Sequence, residues 1–79
     1  MDKLSVINLS NEIHKEGFKN FSVEKLKKQD GVKITLYGSC KRVDIKVIKK
    51  KLSYIMEVSE IGNEELAYKL IHAMLEYLK

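Results

Sequence analysis

Hydrophobic positions change their spacing twice along the 79-residue chain. Over residues 4–16 they fall at helical spacing: Val6, Leu9 and Ile13 recur at i, i+3 and i+7, and Ile7 widens the stripe. Asn8, Asn11, Glu12 and Lys15 fall on or near the other side. Gly17 is placed to end this helix in the left-handed conformation, with Phe18 as its hydrophobic contact. The spacing then switches to a period of two. Val32, Ile34 and Leu36 alternate with Lys33, Thr35 and Tyr37; Val43, Ile45 and Val47 alternate with Asp44 and Lys46; Leu52, Tyr54, Met56 and Val58 alternate with Ser53, Ile55 and Glu57. Three strands are predicted, each with one apolar face.

Turn chemistry suggests a register. A two-residue turn at Gly38-Ser39 sets Ile34 opposite Val43 and Val32 opposite Ile45, with Lys33 meeting Asp44 on the other face. A loop over residues 48–51 sets Val47 opposite Leu52, Ile45 opposite Tyr54 and Val43 opposite Met56, with Arg42 meeting Glu57. Both hairpins gather apolar partners on one face and opposite charges on the other. Residues 21–28 read as a fourth strand or as a short helix capped by Ser22, and the strand is preferred. In that strand a left-handed Gly31 ends the loop, Leu26 lies opposite Ile34, and a bulge must absorb the phase of Phe21 and Val23.

Residues 63–79 return to helical spacing, with Asn63 as N-cap and Glu64 and Glu65 in the first turn, where the helix dipole favours acids. Glu65, Lys69, His72, Glu76 and Lys79 make its polar stripe. Leu66, Ala67, Leu70, Met74 and Tyr77 form one apolar side, and Tyr68, Ile71, Leu75 and Leu78 a second. The first covers the sheet. The second needs the first helix or another chain to cover it, which makes Tyr68, Ile71, Leu75 and Leu78 a candidate protein interface and a route to a homodimer. The expected fold is one α+β domain over residues 1–79: helix, antiparallel three- or four-stranded meander, helix, both helices on one face of the sheet.

Composition narrows the class. A chain this short holds one domain, and its single cysteine cannot pair internally. One cysteine, no basic and apolar leader at Met1–Ser5, and no apolar run near the length of a membrane span point to a soluble cytoplasmic protein. The net charge of +4 is unevenly spread. Between Lys19 and Lys51 eleven basic residues face three acidic ones, a net of +8, while the flanking segments net −1 and −3. Such a centre attracts anions. Fourteen of the fifteen basic residues are lysine, which also solvates exposed strands and blocks edge pairing.

Little in the chain suits catalysis. Cys40 has no neighbouring base to lower its pKa, because His14 and His72 sit on the two helices and the strand phase points Cys40 away from them. The two histidines and one cysteine lack the spacing of a zinc site. Gly17, Gly31, Gly38 and Gly62 all fall at element boundaries, and neither a Walker nor a dinucleotide-binding fingerprint is present. No enzyme activity, metal, cofactor or small-molecule substrate is expected.

If the centre holds three strands, the order helix–strand–strand–strand–helix resembles the double-stranded-RNA-binding domain. The resemblance covers the layout of most of the chain. That family grips phosphates with a Lys-Lys-x-Ala-Lys motif opening its second helix, where this chain has Asn63-Glu64-Glu65-Leu66-Ala67, acidic where the family is basic. The expected function is therefore a non-enzymatic binding module whose basic sheet face contacts nucleic acid backbone or an acidic protein surface. Lys33, Arg42, Lys46, Lys49, Lys50 and Lys51 would supply charge, and Tyr37 a stacking surface. The alternative is a protein–protein inhibitor or adaptor, of the kind found among phage and mobile-element accessory proteins, acting through the C-terminal helix.

Overall fold

The computed structural model describes residues 6–60 and 62–78. The expected start of the first helix at residues 4–5 and the expected end of the second at Lys79 lie outside them. Among the described residues the elements in chain order are α1 (Ser10–Lys15), β1 (Phe18–Lys25), β2 (Gly31–Gly38), β3 (Arg42–Lys49), β4 (Tyr54–Val58) and α2 (Glu64–Tyr77). The strands make one antiparallel sheet in the order β1-β2-β3-β4, a four-stranded meander. The three-stranded layout on which the likeness to the double-stranded-RNA-binding domain depended is therefore not the one adopted.

The first helix is shorter than its hydrophobic spacing suggests. The Leu9 N–H donates to the Val6 carbonyl at 2.9 Å, a tight turn that interrupts the helix at Asn8-Leu9 before α1 begins. Asn8 lies in that break and Ser10 follows it, and such side chains compete with the helical backbone. Val6 and Ile13 are nonetheless fully buried, while Ile7 is exposed. Gly17 takes φ +89° immediately after the helix, as expected, and Phe18 enters the core. In α2 the Asn63 side-chain oxygen accepts from the Leu66 N–H at 3.1 Å, a standard N-cap.

Residues 18–25 are a strand, and Phe21 and Val23 face Leu36 and Ile34 with no break in phase between them. The irregularity lies earlier, between Phe18 and Asn20, and it brings Phe18 onto the apolar side. Leu26 is not opposite Ile34; Val23 is. Gly31 does not have positive φ. Its role is close approach: a Cβ there would lie 2.7 Å from Leu26 Cδ1 and 2.7 Å from the Val47 carbonyl oxygen.

Both remaining hairpins keep the expected faces but slide. Ile34 pairs with Ile45, Val32 with Val47 and Leu36 with Val43, two residues from the expected register. Gly38 also lacks positive φ, so the Gly-first two-residue turn is not formed, and Gly38 N–H instead donates to Lys41 O at 2.8 Å, which centres the turn on Ser39-Cys40, one residue further on. Across β3 and β4 the shift is four residues: Val47 pairs with Met56 and Ile45 with Val58. Leu52, expected in the strand, is almost wholly exposed in the loop over residues 50–53. Even-numbered slips preserve the side-chain face, so hydrophobic alternation could not detect them.

The core is Val32, Ile34 and Leu36 of β2 and Val43, Ile45 and Val47 of β3, covered by Val6, Ile13, Leu66, Leu70, Met74 and Leu78. Both helices thus lie on one face. α1 packs by β1 and α2 over β3, and β4, at the edge of the sheet, has all five residues exposed.

Candidate functional site

Side chains of the sheet's open face are fixed by the pairing. Its rows read Asn20, Tyr37, Arg42; Ser22, Thr35, Asp44; Glu24, Lys33, Lys46, Glu57; and Gly31, Ile48, Ile55. Lys33 meets Lys46 rather than Asp44, and Lys46 meets Glu57 in place of the expected Arg42. Glu24 and Glu57 flank the two lysines, with Lys46 Nζ 3.9 Å from the Glu57 carboxylate. Arg42 Nε lies 3.4 Å from Asp44 Oδ1, and its guanidinium sits 5.8 Å from the Tyr37 ring centroid. Three cations face three carboxylates, and one side of Tyr37 is already occupied. This face is charge-balanced and does not form the basic surface expected of Lys33, Arg42, Lys46 and Tyr37.

Asp44 shows how local that balance is. Partial desolvation acts upward on its carboxyl, but the hydrogen bond from Thr35 Oγ1 at 3.0 Å and the charges of Arg42 and Lys33 outweigh it, holding the pKa below the usual carboxylate value. Thr35 is the one buried polar residue among those described, and this bond satisfies it. A shallow cleft of about 340 Å³ lies beside it, lined by Lys33, Asp44, Lys46, Glu57, Val58 and Ser59.

The excess charge collects at one end of the sheet. The loop after β1 carries Lys27 and Lys28, with Lys25 closing the strand, and the loop after β3 carries Lys50 and Lys51, with Lys49 closing its strand. Antiparallel pairing brings both loops to the same end, where the Lys49 N–H donates to the Asp30 carbonyl at 2.7 Å. All six lysines are exposed, and Asp30 is the one acid in those two stretches. Among the described residues none of the six is held in an ion pair. Lys49, Lys50 and Lys51 thus share one end of the sheet with Lys25, Lys27 and Lys28, whose convergence depends on the β1–β2 hairpin.

Other basic residues have structural duties. Lys41 Nζ donates to the Glu16 carbonyl at 2.6 Å at the end of α1 and stands 4.4 Å from the Phe18 ring centroid. Lys69 Nζ bonds Glu12 at 2.7 Å and lies 3.7 Å from Glu65, tying α1 to α2; the Glu12 hydrogen bond raises its pKa.

The second apolar side of α2 divides. Leu78 is 5% exposed and belongs to the core, so it is no part of an open interface; Ile71 and Leu75 are partly buried against that core. Helix geometry explains this, because Leu78 lies close in angle to Met74 and Ala67 at 100° per residue. Tyr68 alone of the four is open, at 68% exposure, and it lines a groove of about 470 Å³ with Asn8, Leu9, Lys69, His72, Ala73 and Glu76. Uncovered apolar surface gathers instead on β4, where Tyr54, Ile55, Met56 and Val58 are each exposed by more than a third.

Chemistry-bearing residues stay dispersed. His14 Nδ1 lies 3.0 Å from the Phe18 carbonyl, His72 lies 3.9 Å from Glu76, and Cys40 is exposed in the β2–β3 loop. No group of three or more His, Cys, Asp or Glu among the described residues is placed to hold a metal ion. No helix among them is long and apolar enough to cross a membrane. No protein-family model, no curated protein and no solved structure matches the chain.

Proposed function

We propose that this protein is a non-enzymatic binding module that docks an anionic partner, foremost a nucleic acid backbone, on the lysine-bearing end of its sheet. The observation carrying this reading is the convergence of Lys25, Lys27 and Lys28 with Lys49, Lys50 and Lys51 across the Lys49–Asp30 hydrogen bond. Six exposed ammonium groups against one local carboxylate set up a field that draws polyanions and releases their counterions on contact. Lysine supplies point charge without the rigid fork with which arginine reads bases, so binding follows backbone charge rather than sequence. Titration with duplex DNA, duplex RNA and single strands at two salt concentrations tests this. Salt-dependent affinity with little sequence preference is expected. Equal or stronger binding to an acidic polypeptide would reassign the partner to an acidic protein surface, and no binding to either would end the reading.

A second reading has its own support. The open Tyr68 and its apolar groove beside Asn8 and Leu9 suit a protein contact, as in a small inhibitor or adaptor of the accessory type. Loss of a captured partner on Tyr68→Glu, with nucleic-acid binding unchanged, would favour it.

A further inference from the structure

The two edges of this sheet are unlike. β1 carries Lys19, Glu24 and Lys25 and a register irregularity at Phe18/Asn20, devices that discourage strand addition. β4 has no irregularity in its pairing and a single charge, Glu57, in Tyr54–Val58. Among the described residues it pairs only with β3. The Ser59 N–H donates to Asp44 O at 3.0 Å, and the ladder continues in steps of two through Lys46↔Glu57 and Ile48↔Ile55. In an antiparallel ladder hydrogen-bonded and non-hydrogen-bonded pairs alternate, so Ile55 and Glu57 spend their backbone groups on β3. Tyr54, Met56 and Val58 therefore turn theirs outward. The side chains of these same three residues project on the helical side of the sheet, at 37%, 47% and 43% exposure.

The covering strand can be identified from charge. From Lys49 to Glu60 the chain is basic first (Lys49, Lys50, Lys51), apolar in the middle (Leu52, Tyr54, Ile55, Met56, Val58) and acidic last (Glu57, Glu60). A segment of that polarity is complementary to itself run in reverse. An antiparallel second copy sets the lysines of each chain toward Glu57 and Glu60 of the other, whereas a parallel copy would stack lysine on lysine. We infer that β4 is a self-pairing edge, and that two copies of this chain join β4 to β4 about a two-fold axis to make one eight-stranded sheet. Such an interface is isologous and closed, so it ends at the dimer. Full overlap of the strands puts Met56 on the axis beside Met56 of the second copy, and Tyr54 opposite Val58. Lys25, Lys27 and Lys28, on the β1–β2 hairpin, take no part in this pairing and stay open to the proposed anion contact on both copies.

Sedimentation equilibrium of the full chain from low to high micromolar concentration is the first test, with a monomer–dimer equilibrium expected. Met56→Lys puts a charge at the axis and should weaken association by about tenfold or more, the effect expected when an apolar pair is replaced by like charges. Circular dichroism establishes that the variant is folded. A cross-link tests the register independently of that variant's stability. In a Cys40→Ser background, Met56→Cys should form an intermolecular disulfide in a glutathione redox buffer, because hydrogen-bonded antiparallel pairs stand about 5.5 Å apart at Cα, inside the disulfide range. Tyr68→Cys, on the helix, should form no intermolecular disulfide under the same conditions. A wild type that remains monomeric throughout overturns the inference. So does a dimer that Met56→Lys leaves intact, or one in which Tyr68→Cys cross-links and Met56→Cys does not.

Discussion

The backbone N–H of Lys49 donates to the carbonyl oxygen of Asp30 at 2.7 Å, and this one bond ties the tips of two hairpins that lie nineteen residues apart in the chain. Through it, lysines that follow β1 and lysines that follow β3 share one end of the sheet. The basic surface is therefore an end and not a face.

That placement predicts an asymmetric charge response. Replacing Lys49, Lys50 and Lys51 together by Gln should weaken nucleic-acid binding and flatten its salt dependence, by about 0.9 in slope for each phosphate of duplex DNA that a lysine no longer neutralises. Lys33→Gln with Lys46→Gln should do far less, because Glu24 and Glu57 already flank that pair. Fluorescence anisotropy across a salt series checks both. Equal effects from the two sets would return the site to the open face.

Gly31 is required by close approach and not by backbone conformation. Gly31→Ala should destabilise the fold by about 1–3 kcal/mol, the usual range for overpacking, in urea unfolding. Adding Leu26→Ala relieves only one of the two close approaches, since the other is the Val47 carbonyl oxygen. The double variant should therefore not regain the stability of Leu26→Ala alone. Full recovery would show that the Val47 carbonyl moves freely.

Asp44 gives the acid limb of stability a sign. Its pKa is depressed in the folded state, so its contribution is present above the unfolded value of about 3.9 and is lost as pH falls through the lower folded value. Thr35→Val removes the 3.0 Å hydrogen bond that helps depress it. The stability gap between wild type and Thr35→Val should narrow as pH drops from neutral toward strongly acid. A gap that is constant with pH would mean Thr35 acts through packing alone.

The far side of α2 should divide in the same way as its burial. Leu78→Ala should cost about 2–5 kcal/mol, as for a core leucine. Tyr68→Ala should stay within about 0.5 kcal/mol, as for an exposed position. Asn63→Ala should cost about 1 kcal/mol by removing the N-cap, and somewhat more because its Nδ2 also donates to Glu16 at 2.6 Å. Thermal melts rank the three, and a Tyr68 variant as damaging as the Leu78 variant would contradict the assignment.

Much of this fold follows from local pattern. Period-two alternation marks β2 and β3 and the face each presents, because a pleated strand points successive side chains to opposite sides. Asn63 followed by two glutamates marks the start of α2, since the orphan N–H groups there need an acceptor and favour nearby negative charge. Composition marks the middle of the chain as basic. What local pattern cannot carry is register. A slip of two or four residues leaves every apolar side chain on its face, so Ile34 faces Ile45 rather than Val43, and Leu52 lies in a loop, for reasons set by turn conformation at Gly38 and beyond Lys49. Those slips decide the site. They place Lys33 and Lys46 between two glutamates and set which residues of β4 turn their backbone outward, while the β1–β2 hairpin gathers six other lysines at one end and helix geometry buries Leu78. A charge's neighbours and a strand's uncovered edge are distances between residues remote in the chain, and these are set only when the chain folds.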